Sequence, residues 1–379
     1  MNPDNDTNLI YQLALSRLPG MRLVLAQQIL ETVPSLSEFF NSDKSRLMEI
    51  FGTESKMFDT SLRNKVLDEA KKELEWIKSN NVTPLFYCDE EYPRRLLQCD
   101  DSPVMIFVCG KPNFNARHVV SIVGTRKSTP YGSAFTAKLV ADLSEKFTDL
   151  LIISGLAYGI DVAAHRASQQ NNIPTVAVLA HGLNQIYPAQ HRNVARDMIR
   201  NNGGLVTDYF PDATIHQGNF LARNRIVAAM CDALVVVESA SKGGAMFTAR
   251  LASNYGRDVF ALPGRISDIY SEGCNRLIRN NIASVITSAD DLIASMMWKP
   301  DKTEGEQPSL FADKNLSENE QKVIELIISL GEADVPCISK NHSLTIPQAM
   351  RLVSDMEFDG HIMAYPGGFY RLQNALKNY

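Results

Sequence analysis

A chain of 379 residues, 45% hydrophobic and 21% charged, has an ordinary globular composition and room for two or three domains. It has no apolar run near the ~18 residues of a membrane span, and MNPDNDTNLIYQ shows no signal-peptide pattern, so no membrane partner is expected. A net charge of −5 argues against a broad basic field, and only residues 116–295 lean positive, with 17 basic against 14 acidic side chains. Any anion site is therefore expected there, built from a local cluster of arginines. The six cysteines (88, 99, 109, 231, 274 and 337) are scattered with no CxxC, which suggests a reducing cytoplasm and no zinc site.

Residues 1–80 read as a helical domain. Leu18-Pro19-Gly20 breaks a first helix and a second resumes after it, as in a helix–hairpin–helix or SAM-like unit; a plain helical bundle fits equally well. The run from Val66 reads as a solvated amphipathic helix. Two short strands, around Leu85 and Met105, flank a Tyr92-Pro93 turn, with Arg94 and Arg95 as surface charges.

From Val119 the pattern is α/β. Apolar runs at Val119–Val123, Leu150–Ile153, Thr175–Ala180, Leu205–Thr207, Leu234–Val237, Val259–Leu262 and Ser284–Ile286 alternate with a helix that opens at Pro130 and carries Phe135, Leu139, Val140 and Leu143, and with helices around 160–171, 190–201, 220–230, 245–255 and 273–280. Continuous apolar strands alternating with helices predict a mostly parallel sheet covered on both faces. In such sheets ligands sit beyond the carboxyl ends of the strands. Those ends carry Gly124-Thr125-Arg126, Ser154-Gly155, His181-Gly182, Glu238-Ser239 and Pro263-Gly264, which are expected to converge on one edge. The first two junctions resemble phosphate seats, because small residues open a helix whose free N–H groups favour an anion.

Residues 299–315 read as a linker with Leu310 and Phe311 as a docking anchor. Ser317 and Glu320 form a capping box before a third domain at 316–379, with three helices and a hairpin turning at Pro366-Gly367-Gly368. That is a winged-helix pattern, yet its last helix carries one arginine and three acids, a balance better suited to protein contact than to DNA phosphates.

Arg126, after a strand-ending Gly-Thr, is placed to fork onto a phosphate. In FLARNRIVAAMC, Phe220 can stack on a base, and Arg223, Asn224 and Arg225 in the first turns of a helix call for a compensating anion. Lys242-Gly243 opens a Gly-rich helix start, without the spacing of a P-loop, and no junction matches GxGxxG. Thr248 and Ala249 are expected to pack helix on sheet. Asp161 and His165, four apart on one helix face, read as a structural hydrogen-bonded pair. No nucleophile–base pair is evident. Several phosphate seats in a row suit a polyanion better than one nucleotide.

The order VVSIVGTR, ISGLAYGIDVAAH, AVLAHGLNQIYP, FLARNRIVA, KGGAMFTA, ALPG and GCNRLI resembles the DNA-processing protein A family (DprA, also called Smf), over roughly 85–295. The resemblance implies a Rossmann-like domain at 81–298 and a non-enzymatic protein, without cofactor or metal. Such a protein binds and protects incoming single-stranded DNA in natural transformation, loads the recombinase RecA, and dimerises through the Rossmann-like domain. It assigns Arg126 to phosphate and Phe220, Arg223 and Asn224 to the DNA pocket. With the residues read above, the expected DNA-binding set is Gly124, Thr125, Arg126, Ser154, Gly155, Phe220, Arg223, Asn224, Arg225, Lys242 and Gly243. TDYF at 207–210 and KGGAMFTA depart from the family's pattern. The alternatives are a Rossmann-like nucleotide phosphoribohydrolase and a nucleotide-sensing module.

Overall fold

The computed structural model describes residues 3–301, 317–342, 344–359, 361–365 and 368–372, and forms two compact units, Met1–Thr303 and Glu304–Tyr379. The first unit opens with α1 (Pro3–Arg17), α2 (Leu23–Thr32), α3 (Leu36–Asn41), α4 (Lys44–Phe51) and α5 (Thr60–Ser79), then β1 (Thr83–Phe86) and β2 (Met105–Gly110). There follow β3 (His118–Val123), α6 (Pro130–Lys146), β4 (Leu150–Ser154), α7 (Ile160–Gln170), β5 (Thr175–Val178), α8 (Arg192–Arg200) and β6 (Gly204–Thr207). The unit closes with α9 (Gln217–Ala229), β7 (Ala233–Val236), α10 (Gly244–Asn254), β8 (Asp258–Ala261), α11 (Glu272–Arg279), β9 (Ser284–Val285) and α12 (Ala289–Ser295).

The nine strands form one sheet in the order β1-β2-β6-β5-β4-β3-β7-β8-β9. From β6 to β9 every pairing is parallel; β2 joins β6, and β1 joins β2, antiparallel. The two short strands expected near Leu85 and Met105 are thus the edge of the main sheet. Period-two alternation divides the core: Val119, Val123, Leu234 and Val236 face α9, α10 and α11, whereas Val120, Ile122, Ala233 and Val235 face α6, α7 and α12. Thr248 and Ala249 are buried on α10, as expected. The strand order reverses between β3 and β7, whose carboxyl ends therefore open a crevice.

The opening helices do not stand clear of the sheet. Leu13, Phe39, Phe58 and Val66 share a core with Phe86, Met105 and Phe107 of β1 and β2. Val66, Ala70, Leu74 and Ile77 recur along one side of α5, so the helix from Val66 is buried along that stripe. Arg63 is wholly buried and caps α3 by donating to the carbonyls of Phe39, Phe40 and Ser42 at 2.6, 2.8 and 2.6 Å. Arg17, at the end of α1, joins Glu69 and Glu73 of α5 (both 3.3 Å) to Asp212 (3.2 Å), in the segment between β6 and α9, and lies over the Phe210 ring.

Arg95 is no free surface charge. It grips Asp232 through Nε and a terminal nitrogen, each at 2.7 Å, while the same carboxylate accepts from the Val119 amide at 2.9 Å. The sequence pattern does not mark α12, although Ser288 and Asp291 form a capping box at its start.

The second unit contains α13 (Glu318–Leu330), β10 (Ala333–Asp334), α14 (Val335–His342), α15 (Ile346–Phe358), β11 (Ile362–Tyr365) and β12 (Phe369–Leu372). The Ser317–Glu320 capping box forms, and Val323, Ile327, Ile338, Val353, Met356 and Ile362 make the core. The strands pair in the order β10-β12-β11. Leu310 and Phe311, with the expected linker beyond residue 301, and Pro366 and Gly367 of the expected hairpin turn lie outside the described residues.

Candidate functional site

A cleft of about 880 Å³ opens at the reversal point between β3 and β7. Its floor and walls bring together Gly124, Thr125, Arg126, Phe220, Arg223 and Asn224. Lys242 and Gly243 join them from the segment before α10. Eight of the eleven expected residues therefore meet in one place; Ser154, Gly155 and Arg225 are not among its lining residues.

The three outsiders have local employment. Ser154 is fully buried and donates its hydroxyl to the Ile122 carbonyl at 2.6 Å. Gly155 lends its carbonyl to Arg223 at 2.7 Å, and a side chain at Gly155 would strike that guanidinium. Arg225 pairs with Asp208 at 2.5 Å and donates to the Asp101 carbonyl, so its charge is answered from within. Burial pushes the Asp208 carboxyl up, and Arg225 opposes that shift.

The two strand–helix junctions read as phosphate seats already hold carboxylates of the chain itself. At the start of α6, Glu238 accepts from the Thr129 amide at 2.9 Å and its hydroxyl at 2.5 Å, and a Cβ on Gly132 would overlap the Glu238 carboxylate. At the start of α7, Asp161 accepts from the Ala157 amide at 3.4 Å. Thr125 spends its amide on the Glu238 carbonyl at 2.6 Å, and Gly243 its own on Ala240 at 3.0 Å. The first turn of α10, Gly244 and Ala245, does line the cleft and offers helix-terminal amides there.

Arg223 differs from its expected setting. α9 begins at Gln217, so Arg223 lies in its second turn, 4% exposed, and donates to the carbonyls of Gly155 and Val178 and, through Nε, to Asn224 Oδ1 at 3.2 Å. Burial raises the Asp161 carboxyl while the Arg223 charge draws it back down; burial likewise lowers Arg223. Asp161 and His165 do not pair. His165 Nδ1 donates to Thr175 Oγ1 at 2.7 Å, Thr175 passes its own proton to the Ile152 carbonyl at 2.9 Å, and burial takes the imidazole down to about 3.

Two cations of the cleft lining, Arg126 and Lys242, are exposed. Arg126 and Lys242 have no hydrogen bond or ion pair among the described residues. The Arg126 guanidinium lies 5.4 Å from the centre of the Phe220 ring, and that ring meets Tyr187 at 5.7 Å. Tyr187 (48% exposed) and Phe247 (44%) complete aromatic walls that the sequence reading did not assign to the site. The signal for Tyr187 lay in its position after the strand ending at His181-Gly182. His181 Nε2 accepts the Tyr187 amide at 3.2 Å while Nδ1 donates to the Gly182 carbonyl at 2.9 Å. The arrangement offers two free cations, a helix start and three aromatic faces, the elements of a surface for phosphates and bases.

Among known proteins, residues 83–297, more than half of the chain, match the family model of the DNA recombination-mediator protein A. Protein Smf of Escherichia coli (strain K12) is 31% identical over 306 residues, 79% of this chain and 80% of that one. The X-ray structure of DNA processing protein A from Streptococcus pneumoniae superposes with a TM-score of 0.63 at 30% identity, covering 75% of this chain and 96% of that one. A structure of DNA processing protein A from Helicobacter pylori, reported for its unique single-stranded DNA binding mode, gives 0.51 at 30% identity over 57% and 95% of the two chains. With its α/β sheet, its cleft at the β3–β7 reversal and these relatives, the chain belongs to the DNA recombination-mediator protein A family, the DprA/Smf proteins.

Proposed function

We propose that the cleft binds single-stranded DNA, and that the protein thereby protects incoming strands and loads RecA recombinase onto them in natural transformation. The observation that carries this reading is the pair of cations without an ion pair, Arg126 and Lys242, beside the half-buried Phe220 ring and the exposed rings of Tyr187 and Phe247. Phosphates meet the cations and the start of α10; unstacked bases meet the rings. Duplex DNA hides its base faces, so single strands are preferred. Binding in the cytoplasm as a homodimer through the Rossmann-like domain, and a protein-contacting winged helix in the second unit, belong to the same proposal. The commitment of Glu238 to Thr129 weighs against the phosphoribohydrolase alternative, because this carboxylate is taken by the α6 cap.

Fluorescence anisotropy of labelled single-stranded DNA across a salt series tests the reading. Wild type binds single strands more tightly than duplex, and Arg126→Ala makes the log–log salt slope shallower by ~0.7, the loss of one phosphate contact. Absence of binding at low salt would sink the reading. Release of free base from nucleoside monophosphates would establish the hydrolase instead.

A further inference from the structure

A second basic surface lies beyond the cleft, on α7 and α8. These helices pack side by side, with Gln169 Nε2 donating to the Val194 carbonyl at 2.8 Å. They bury Ala164 and Ala167 on α7 and Val194, Ala195 and Met198 on α8, and leave Arg166, Arg192, Arg196 and Arg200 exposed. The three arginines of α8 recur every four residues, so they run along one side of the helix, each about 6 Å beyond the last. The one exposed acid on either helix is Asp197, loosely paired with Arg200 at 3.9 Å. Arg166, Arg192 and Arg196 have no ion pair or hydrogen bond among the described residues. In a chain of net charge −5 such a surface is a local exception.

The surface starts at the rim of the cleft. Ala157 lines the cleft, and the next residue, Tyr158, is 42% exposed. Its hydroxyl donates to Gln190 Oε1 at 2.9 Å and its ring stands edge-on to His191, 5.0 Å between centres. Arg192 follows directly. Tyr187 on the cleft wall, Tyr158 at the rim and then the arginines form a sequence of aromatic faces and cations, the combination that tracks a single strand. An acidic protein segment would use the arginines but would have no need of continuity with the cleft.

We propose that a single strand leaving the cleft crosses Tyr158 and continues over the arginines of α7 and α8, with Arg166, Arg192 and Arg196 holding successive phosphates. This rests on the cleft itself binding single-stranded DNA. The site is then longer than the cleft, and its far part reads strand length.

The test is anisotropy with two oligothymidylates, one of about 5 nucleotides that the cleft alone accommodates and one of about 20 that reaches past it. The variant is Arg166→Ala/Arg196→Ala, both on exposed positions, with Arg126→Ala beside it. The double variant is expected to bind the long strand roughly three- to tenfold more weakly, with a salt slope shallower by ~1.4, and to bind the short strand as wild type does. Arg126→Ala weakens both strands. An unchanged affinity and slope for the long strand overturns the proposal and leaves the surface to an acidic protein partner, while the cleft reading stands on Arg126. Equal weakening of both strands by the double variant also overturns it, since the arginines would then act within the cleft. Wild type binding neither strand removes the cleft reading and this one with it.

Discussion

Arg223 and Arg126 show how two residues of one type, both expected to touch phosphate, divide their roles. Arg223 is buried and its donors are spent on the carbonyls of Gly155 and Val178. Arg126 is exposed, with its guanidinium over the Phe220 ring and no hydrogen bond or ion pair among the described residues. Replacing Arg223 by Met strands those carbonyls and leaves Asp161 without its neighbouring positive charge, at a cost of about 3 kcal/mol or more, measurable as a lowered melting temperature. Arg126→Ala, by contrast, is expected to stay within about 0.5 kcal/mol of wild type while losing DNA affinity. The motif FLARN placed Arg223 at the cleft without revealing its burial, because the start of α9 at Gln217, three residues before Phe220, turns Arg223 inward. Arg225, two residues further on and so on nearly the opposite side of the helix, is equally plausible by type; the distant Asp208 and Asp101 decide its fate, and such partners do not show in a local pattern.

At the scale of elements, the parallel strands were legible to within a residue or two, because fully buried strands read as unbroken apolar runs. The junctions were less so. Small residues at the ends of β3 and β4 suggest seats for an external anion, whereas Glu238 and Asp161 accept from the amides there. The small residues serve close packing: Gly159, at φ +76°, brings its backbone so near Thr125 that a Cβ would lie 2.2 Å from the Thr125 carbonyl oxygen. Gly159→Ala is therefore expected to destabilise by about 1–3 kcal/mol from the backbone alone. It should also displace Thr125 and Arg126, so thermal melting and DNA affinity fall together.

Over the whole molecule, the sheet reversal that makes the cleft followed from strand order, which local pattern does not contain, and the place of the opening helices depended on β1 and β2 lying at the sheet edge. The contact at Arg17 gives this scale its own test. Burial raises Glu73 from 4.5 to about 7, a shift that the Arg17 charge opposes only in part. A carboxyl raised in the folded state contributes stability in full below pH 4.5 and loses it as the pH climbs through 7. Glu73→Gln is accordingly expected to lose less melting temperature than wild type between pH 5 and pH 8, and a parallel pH dependence of the two proteins would refute the assignment.

The same Arg17 has a consequence for how the protein comes apart. It ties α1 and α5 to Asp212, a few residues ahead of Ile215 and His216 on the cleft wall, and the helices share their core with the sheet edge. Peeling the helices away thus strips apolar cover from β2 and frees the segment that shapes the ligand's entrance. The helices and the cleft are therefore expected to open together, and occupancy of the cleft to slow amide exchange in helices that do not line it.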